Sequence, residues 1–338
     1  LVFSYLALRS ALKSLKISGR LLAALFFTAP LVVINATRTG SQLPMVFFVS
    51  LVIYAVYSAG KERYLLASLF AGACMAIKYT GVFVYVFTAF YFVYEMLIKK
   101  EKAFRLLLCL AAGALITAPY LIKNLVLTGD PVYPFFAGLF GVKGYMLSDA
   151  DAYIGHVSNF GIGTGIKEFL ISPFVAVFKN MAFGGDAVSA ALLIAPLALL
   201  VSGIKNMWFP AFFAVFYYTV WFFTAGVLRF LAPVEAAAVF IIGAAYSRLA
   251  ERNKGVFLKI LAALLVISQA GITVYFAEKY LSPFSYFTSD RQSYLAEKLS
   301  YYKPCVKINA LPGKAGVLFM GEARTFYCEK PAVAHTVF

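Results

Sequence analysis

Charge is scarce in this sequence. Only 13% of its 338 residues are Asp, Glu, Lys or Arg, whereas 62% are hydrophobic and the mean hydropathy is +0.83. A water-soluble globule needs many more polar side chains to cover its surface. The composition therefore argues against a soluble domain and predicts a chain that crosses a membrane many times. The length allows about nine or ten spans of roughly 20 residues each.

Residues that commonly carry enzyme chemistry are also few. The chain has two His and four Cys. They form no zinc-ligand spacing and no Ser-His-Asp arrangement, and the glycines form no P-loop. Cys74 and Cys109 lie in predicted spans. Cys305 and Cys328 lie in the C-terminal tail, where an oxidising compartment would allow them to form a disulfide.

Basic residues are numerous and clustered. The chain has 30 Lys and Arg but only 15 Asp and Glu, which gives a formal net charge of +15. They lie between apolar runs, as the positive-inside rule expects of cytoplasmic loops, so the basicity indicates topology rather than nucleic-acid binding. The first cluster, Arg9 to Arg20, is placed in the cytoplasm, and the following spans then alternate in direction. The predicted spans after it are residues 21–35, 43–58, 64–79, 81–98, 105–123, 187–203, 207–225, 230–247 and 256–276.

Two parts are predicted. Residues 1–276 form an all-α polytopic membrane bundle with a long outer loop at about 125–186, and residues 277–338 form a small extracytoplasmic α/β segment. Because the chain begins inside an apolar stretch, we expect it to be a fragment that lacks its N-terminal part. Because it ends in a predicted strand, we expect its C-terminal segment to be incomplete as well. Within the second part we expect a helix at 290–302 and strands at 316–320 and 325–327.

Basic residues beside the membrane are the first candidates for chemistry, because a charge near hydrocarbon is costly. Four lie on the predicted outer side: Arg38, Lys78, Lys123 and Arg229. Together they could clamp a phosphate, with Arg forming bidentate hydrogen bonds and Lys acting as a point charge. The alternative is that each side chain reaches the lipid headgroups. Lys78 and Arg229 are favoured, since each lies beside a helix end in an apolar stretch.

Acidic residues give weaker indications. Glu235, six residues after Arg229, is interpreted as structural, neutralising a nearby cation. Asp149 and Asp151 resemble a divalent-metal pair, although such acids are common in solvated loops and a hard cation needs further oxygen ligands. His156, one of only two His in the chain, is better explained as an ordinary loop residue than as a functional one. The groups available in the long outer loop for acid–base work or metal binding are Asp130, Asp149, Asp151, His156 and Glu168.

Several short motifs occur in a distinctive order. They are Ala76-Ile77-Lys78-Tyr79-Thr80-Gly81, Ala118-Pro119-Tyr120-Leu121-Ile122-Lys123-Asn124, Gly129-Asp130-Pro131-Val132-Tyr133-Pro134-Phe135, Leu228-Arg229-Phe230-Leu231-Ala232-Pro233, and in the tail Val317-Leu318-Phe319-Met320-Gly321-Glu322-Ala323-Arg324. In this order they resemble bacterial GT-C membrane glycosyltransferases, the relatives of the protein O-mannosyltransferases and of the aminoarabinose transferase of lipid A. Each motif alone is short and degenerate.

The resemblance implies sugar transfer from a polyprenyl-phosphate donor to a lipid, glycan or protein acceptor on the outer face of the inner (plasma) membrane. No cofactor is certain, and a divalent metal is compatible with the family. The implied donor-phosphate contacts are Lys78, Lys123 and Arg229. The implied loop residues near the substrate are Asp130 and Tyr133, and His156 is a further candidate in the same loop.

This chain departs from the family pattern in two respects, and two functions other than sugar transfer are considered. The family's acidic catalytic residue would precede Leu1, so no catalytic residue is assigned. Where relatives often carry an acid at the start of a later helix, this chain has Gln42, which cannot act as a base. A transporter or flippase of lipid-linked sugars would use the same cations, but it would need charged or broken-helix features near the bilayer midplane, which the predicted spans lack. A non-catalytic relative of the enzyme is the other alternative.

Overall fold

The computed structural model is mostly helical, with one pair of short strands. It describes residues 1–38, 40–141, 143, 155, 159–202, 207–252, 256–313, 316–320 and 326–335. The helices are α1 Val2–Ser14, α2 Leu22–Thr28, α3 Pro30–Ala36, α4 Gln42–Ser58, α5 Arg63–Ile77, α6 Gly81–Lys99, α7 Ala103–Thr128, α8 Ala137–Phe140, α9 Ile166–Phe178, α10 Ala191–Ser202, α11 Trp208–Thr224, α12 Ala232–Arg252, α13 Val256–Leu281, α14 Pro283–Thr288, α15 Arg291–Lys298 and α16 Tyr302–Asn309. The strands are β1 Val317–Met320 and β2 Ala332–His335.

Four helices within the described ranges are long and apolar enough to cross a membrane. They are α6, α7, the stretch Leu228–Glu251 that contains most of α12, and α13. Three further apolar helices are shorter: Gln42–Ser58, Ala191–Leu200 and Trp208–Thr224. α12 is almost entirely buried at the centre of the bundle, whereas α7 and α13 turn most of their apolar side chains outward. Such large apolar surfaces are unsuited to water and indicate a membrane protein.

Helices α5 and α7 approach each other unusually closely. A Cβ added at Gly72 would overlap the backbone of Gly113, and one added at Gly113 would overlap the backbone of Ser68. Thr117 also donates a hydrogen bond from Oγ1 to the carbonyl of Gly72 at 3.2 Å. In a membrane the hydrophobic effect does not drive helices together, because lipid tails are as apolar as the side chains. Small residues at the contact instead allow the two backbones to pack closely.

The predicted single span at 21–35 is wrong, because the helix breaks in its middle. Ala29 adopts an extended conformation (φ −61°, ψ 116°) between α2 and α3. The residue before a proline is disfavoured in the α conformation, and Pro30 follows directly. Two helices of seven residues therefore replace one long helix.

Basic residues predicted for several inner loops gather at one end of the bundle, here called the Arg63 end. Arg105 donates to the carbonyl of Lys61 at 2.7 Å, and Arg63 lies 2.8 Å from Glu95 and 3.6 Å from Glu101. The opposite end, called the Lys78 end, carries the turn between α5 and α6. Lys205 and Lys254, also predicted for inner loops, lie outside the described residues.

The C-terminal segment differs from its prediction in two respects. The helix expected at 290–302 ends earlier, as α15, and a second helix, α16, begins at Tyr302. Asp290 caps α15, since its Oδ1 accepts from two backbone N–H groups. The hydrogen bond from the Ser293 side chain, followed by those from the backbone, lowers the pKa of Asp290. The first strand is confirmed as β1, but the second is β2 at 332–335, paired in parallel with β1, so the strand predicted at 325–327 is wrong.

The second strand is displaced because residues just before it are held as a turn. The Cys305–Cys328 disulfide ties this turn to α16. The Nδ2 of Asn309 donates a hydrogen bond to the carbonyl of Tyr327, and its Oδ1 accepts one from the N–H of Glu329. The carbonyl of Tyr327 and the N–H of Glu329 thus bond to a side chain of α16 and not to a neighbouring strand. Thr325 and the tail motif residues Gly321 to Arg324 lie outside the described residues.

Candidate functional site

The Tyr79 hydroxyl joins three of the sequence motifs at the Lys78 end. It accepts from the Tyr120 hydroxyl at 2.9 Å and from Nδ2 of Asn124 at 3.1 Å, and it donates to the carbonyl of Tyr133. Burial, followed by the Tyr120 hydrogen bond, raises the pKa of Tyr79, so its hydroxyl keeps its proton. Tyr79 is 41 residues from Tyr120 and 54 residues from Tyr133 in the sequence, so the first motif shares one hydrogen-bonded centre with two motifs that are distant along the chain.

The loop after α7 folds back onto that centre. Gly129 ends the helix in the left-handed conformation (φ 82°), which glycine adopts at little cost. Asp130 is fully buried, and its Oδ1 accepts from the N–H of Val132 at 2.8 Å. Within the described residues its Oδ2 has no hydrogen-bond partner. The loop continues through Tyr133, whose bond to Pro134 is cis.

Lys78 and Arg229 flank one aromatic ring. The Nζ of Lys78 lies 3.1 Å from the centroid of the Phe230 ring, and the guanidinium carbon of Arg229 lies 5.8 Å from the same centroid. Lys78 can reach this position because it follows α5 in an extended conformation (φ −158°, ψ 148°). Burial, and next the charge of Arg229, lower the pKa of Lys78 to about 7. The fourth motif thus joins the first at this ring.

No carboxylate neutralises this pair among the described residues, whose ion pairs all involve other cations. Arg38 behaves differently. Its Nη1 lies 2.6 Å from Oδ1 of Asp186, and its guanidinium stacks 4.6 Å from the centroid of Tyr280. Of the four predicted outer cations, Arg38 is therefore already neutralised, whereas Lys78 and Arg229 repel each other and attract an anion.

Lys123 lies beside the site but not at the Phe230 ring. Its side chain is exposed, and its Nζ lies 4.8 Å from the centroid of Tyr120. Tyr120 in turn bonds to Tyr79, the neighbour of Lys78. The structure thus places Lys123 at the same end of the bundle, one ring away from the Tyr79 centre.

The acidic candidates are not gathered into a metal site in the described part of the chain, where no group of three or more His, Cys, Asp or Glu could hold an ion. Glu168 lies in the first turn of α9. Asp149, Asp151 and His156 lie outside the described residues.

Glu235 does not pair with Arg229 as predicted. Its two carboxylate oxygens instead accept the backbone N–H groups of Leu31 and Ser189, each at 2.8 Å.

An apolar groove that the sequence did not indicate opens between four helices. It has a volume of about 300 Å³ and is lined by residues of α9, α10, α11 and α12. Pro173 of α9 lacks an N–H for the carbonyl of Phe169, and the Ser172 hydroxyl donates to that carbonyl at 2.7 Å. Along α12 the groove runs from Val234 to Ile241, so it begins just beyond Arg229 in the sequence. Four separate helices supply the walls, which is why no single segment revealed it.

The opening of the groove faces the outside of the bundle. Leu170 and Val215, which line it, are mostly exposed. In a membrane these side chains contact lipid, so the groove is accessible to a hydrocarbon chain from the side.

Comparison with known proteins gives a family without an assigned activity. Comparison with curated proteins and with solved structures gave no match. A family model described as a domain of unknown function, DUF8201, matches residues 1–235. The match covers more than half of the chain and includes Lys78, Lys123, Asp130 and Arg229. The chain therefore belongs to the DUF8201 family.

Proposed function

We propose that this protein is a GT-C-like glycosyltransferase that moves a sugar from a polyprenyl-phosphate donor to a lipid, glycan or protein acceptor. The observation that carries the proposal is the Lys78–Arg229 pair around Phe230, which lacks a carboxylate partner among the described residues. It lies at the end of an apolar bundle, where the charged head of a lipid would meet the protein.

Two cations suit this reaction because negative charge grows on the phosphate. The acceptor oxygen forms a bond to the anomeric carbon of the sugar while the bond from that carbon to the phosphate oxygen breaks. The polyprenyl phosphate leaves with the bonding electron pair, and the acceptor gives up its proton to a base. Preorganised cations at the leaving phosphate stabilise the charge that develops there. Lys78 and Arg229 take this role, with Lys123 as an outer contact.

The apolar groove fits the isoprenoid part of the same donor. Its lining is almost wholly hydrocarbon, and it begins next to the chain segment that carries Arg229. A lipid whose phosphate lies at Lys78 and Arg229 would extend its chain between α9 and α12. Burying that chain contributes binding energy without adding polar contacts.

Two independent features support an extracytoplasmic Lys78 end. The Arg63 end carries the basic loops, which the positive-inside rule assigns to the cytoplasm. α13 finishes at the Lys78 end, where the Tyr280 hydroxyl donates to the carbonyl of Gly185 at 3.0 Å. The segment that continues from α13 contains the Cys305–Cys328 disulfide, which favours an oxidising compartment. Both features support a site on the outer face of the inner membrane.

Sugar transfer in membranes tests the proposal directly. Radiolabelled polyprenyl-phosphate sugars are supplied to membranes that contain the protein within its complete gene product, and labelled acceptor is extracted. Transfer above that of membranes without the protein supports the enzyme. Folded protein that transfers none of several sugars would reject it.

A transporter or flippase of lipid-linked sugars is the second candidate, because the break between α2 and α3 is a feature found in such proteins. Both oxygens of Glu235 at this break are occupied by backbone N–H groups, so the carboxylate is not free for a substrate or ion. This occupancy favours the enzyme. Movement of labelled lipid across protein-containing vesicles, without sugar transfer, would favour the transporter.

Donor binding should weaken as the pH rises. The pKa of Lys78 is lowered to about 7, so the side chain attracts an anion below that pH and becomes neutral above it. A phosphodiester keeps one negative charge throughout, so the charge of the ligand does not change over this range. We expect the affinity for a polyprenyl phosphodiester to fall by roughly tenfold between about pH 6 and about pH 8.5. Calorimetric titration in detergent measures this fall.

The control for this pH dependence is Lys78→Arg, whose guanidinium stays charged over the whole range. Its affinity should vary little with pH. An equally flat profile for the unmodified protein would show that Lys78 does not contact the phosphate.

A further inference from the structure

Glu235 holds the beginnings of two different helices with one carboxylate. It lies in the first turn of α12 and is fully buried. Its Oε2 accepts from the N–H of Leu31 in the first turn of α3, and its Oε1 accepts from the N–H of Ser189 just before α10. N–H groups at helix starts have no partner within their own helix. Glu235 supplies both partners from a third helix.

A chain of side-chain hydrogen bonds extends this clamp to α13. Gln269 donates from Nε2 to the Ser189 hydroxyl at 3.0 Å, and its Oε1 accepts from the Thr28 hydroxyl at 2.9 Å. Thr273, one turn further along α13, donates to the carbonyl of Thr28 at 2.8 Å. α13 has little buried surface, so these polar contacts fix its position against the break between α2 and α3.

Each segment held by Glu235 carries a charged residue of the Lys78 end a few positions away. Arg38 follows Leu31 by seven residues, Asp186 precedes Ser189 by three, and Arg229 precedes Glu235 by six. Arg38 and Asp186 join in an ion pair at 2.6 Å. The segments of Leu31 and Ser189 therefore meet twice, once through the buried carboxylate and once through this ion pair, and the segment that carries Arg229 joins them at the carboxylate.

We infer that Glu235 is a positioning residue that sets the separation between Arg229 and the Arg38–Asp186 ion pair. It thereby sets the shape of the anion-binding site that Lys78 and Arg229 form at the Phe230 ring. A carboxylate is required because both of its oxygens are acceptors. Gln at this position would present one acceptor and one NH₂ donor to two N–H groups. One backbone N–H would lose its partner, and one segment would move away from α12.

A distance measurement tests this inference without any ligand. Spin labels are attached at Thr37→Cys and Arg229→Cys in a chain whose free Cys74 and Cys109 are replaced by alanine. Pulsed electron resonance then gives the distance distribution between the two labels. We expect Glu235→Gln to broaden or lengthen this distribution. An unchanged distribution in folded Glu235→Gln protein would overturn the inference.

Glu95→Gln is the matched control. Glu95 is also a buried carboxylate in an apolar helix, but it accepts from Arg63 at 2.8 Å and from Tyr64 at 2.7 Å, at the other end of the bundle. Its substitution should lower the melting temperature and leave the distance between the labels unchanged. Should Glu235→Gln not fold, Glu235→Asp takes its place, since the shorter side chain keeps two acceptors but cannot reach both N–H groups.

A binding measurement extends the test and rests on the proposed function. Farnesyl phosphate is titrated into folded, detergent-solubilised protein. Glu235→Gln should bind it roughly tenfold more weakly, because small displacements of a binding group are costly, while Glu95→Gln should match the unmodified protein. Equal affinities for the two variants would count against the inference. No binding by the unmodified protein would instead reject the proposed donor, and the label distances would still judge Glu235.

Discussion

Replacing Lys78 or Arg229 by alanine is expected to reduce sugar transfer by at least about 100-fold, the usual effect of removing one preorganised group that stabilises developing charge. Both cations lie at the Phe230 ring, and the described residues hold no carboxylate paired with either of them. Initial rates with saturating and limiting donor measure the effect on kcat and on kcat/KM.

Lys279→Ala is the control for these variants. Lys279 is an exposed lysine at the same end of the bundle, 5.6 Å from the centroids of Phe276 and Tyr280, and it is remote from Phe230 in the sequence. Its removal should leave transfer unchanged. Lys78→Arg should retain part of the activity, because it keeps the charge with a different shape. Normal turnover in both alanine variants would eliminate the phosphate site.

Replacing Gly72 by leucine is expected to prevent folding of the bundle. A side chain there meets the backbone of Gly113, which cannot rotate aside as a flexible side chain would. α5 and α7 would have to separate, and Thr117 would lose its hydrogen bond to the Gly72 carbonyl. Overpacking of this kind usually costs about 1–3 kcal/mol per site, and a large side chain against backbone lies at or above that range. Fluorescence-detected gel filtration and melting temperature report the loss.

Gly271→Ala provides the contrasting case. Gly271 also lies inside an apolar helix, α13, but nothing lies within 4 Å of the position that its Cβ would occupy. Alanine there should be neutral or should stabilise the protein by about 0.5–1 kcal/mol, since glycine is a poor helix residue. If Gly72→Leu were recovered as monodisperse protein with an unchanged melting temperature, the close approach of α5 and α7 would be refuted.

Apolar runs and turn residues predicted several helices closely. The spans expected at 43–58 and 81–98 differ from α4 and α6 by one residue at one end, and the span expected at 207–225 differs from α11 by one residue at each end. The break at Ala29 was missed although Pro30 is visible in the sequence. The N–H of Leu31 at this break is satisfied by a carboxylate 204 positions away, and a local pattern cannot show such a partner.

Part of the candidate site could be predicted from the sequence. Lys78 and Arg229 were selected because charges beside apolar helix ends are costly, which is a local property. The ring that both cations approach and the ion pair that neutralises Arg38 depend on contacts across the fold; Arg38 and Asp186 are 148 positions apart. The second strand was misplaced for the same reason, because the disulfide and Asn309 determine where the chain can extend.

The helices α7 and α13, whose apolar side chains are largely exposed, each have an exposed cation near both ends. Each has 26 residues, about 39 Å of helix, whereas a hydrocarbon core is about 30 Å thick. Exposed cations bracket a shorter stretch of each: Arg105 to Lys123 spans about 27 Å, and Lys259 to Lys279 about 30 Å. In a membrane of that thickness these four side chains would lie at the two headgroup levels. Lys123 lies over Tyr120, which bonds to Tyr79, so the same placement would bring the turn that carries Lys78 to a headgroup level, where lipid phosphates reside.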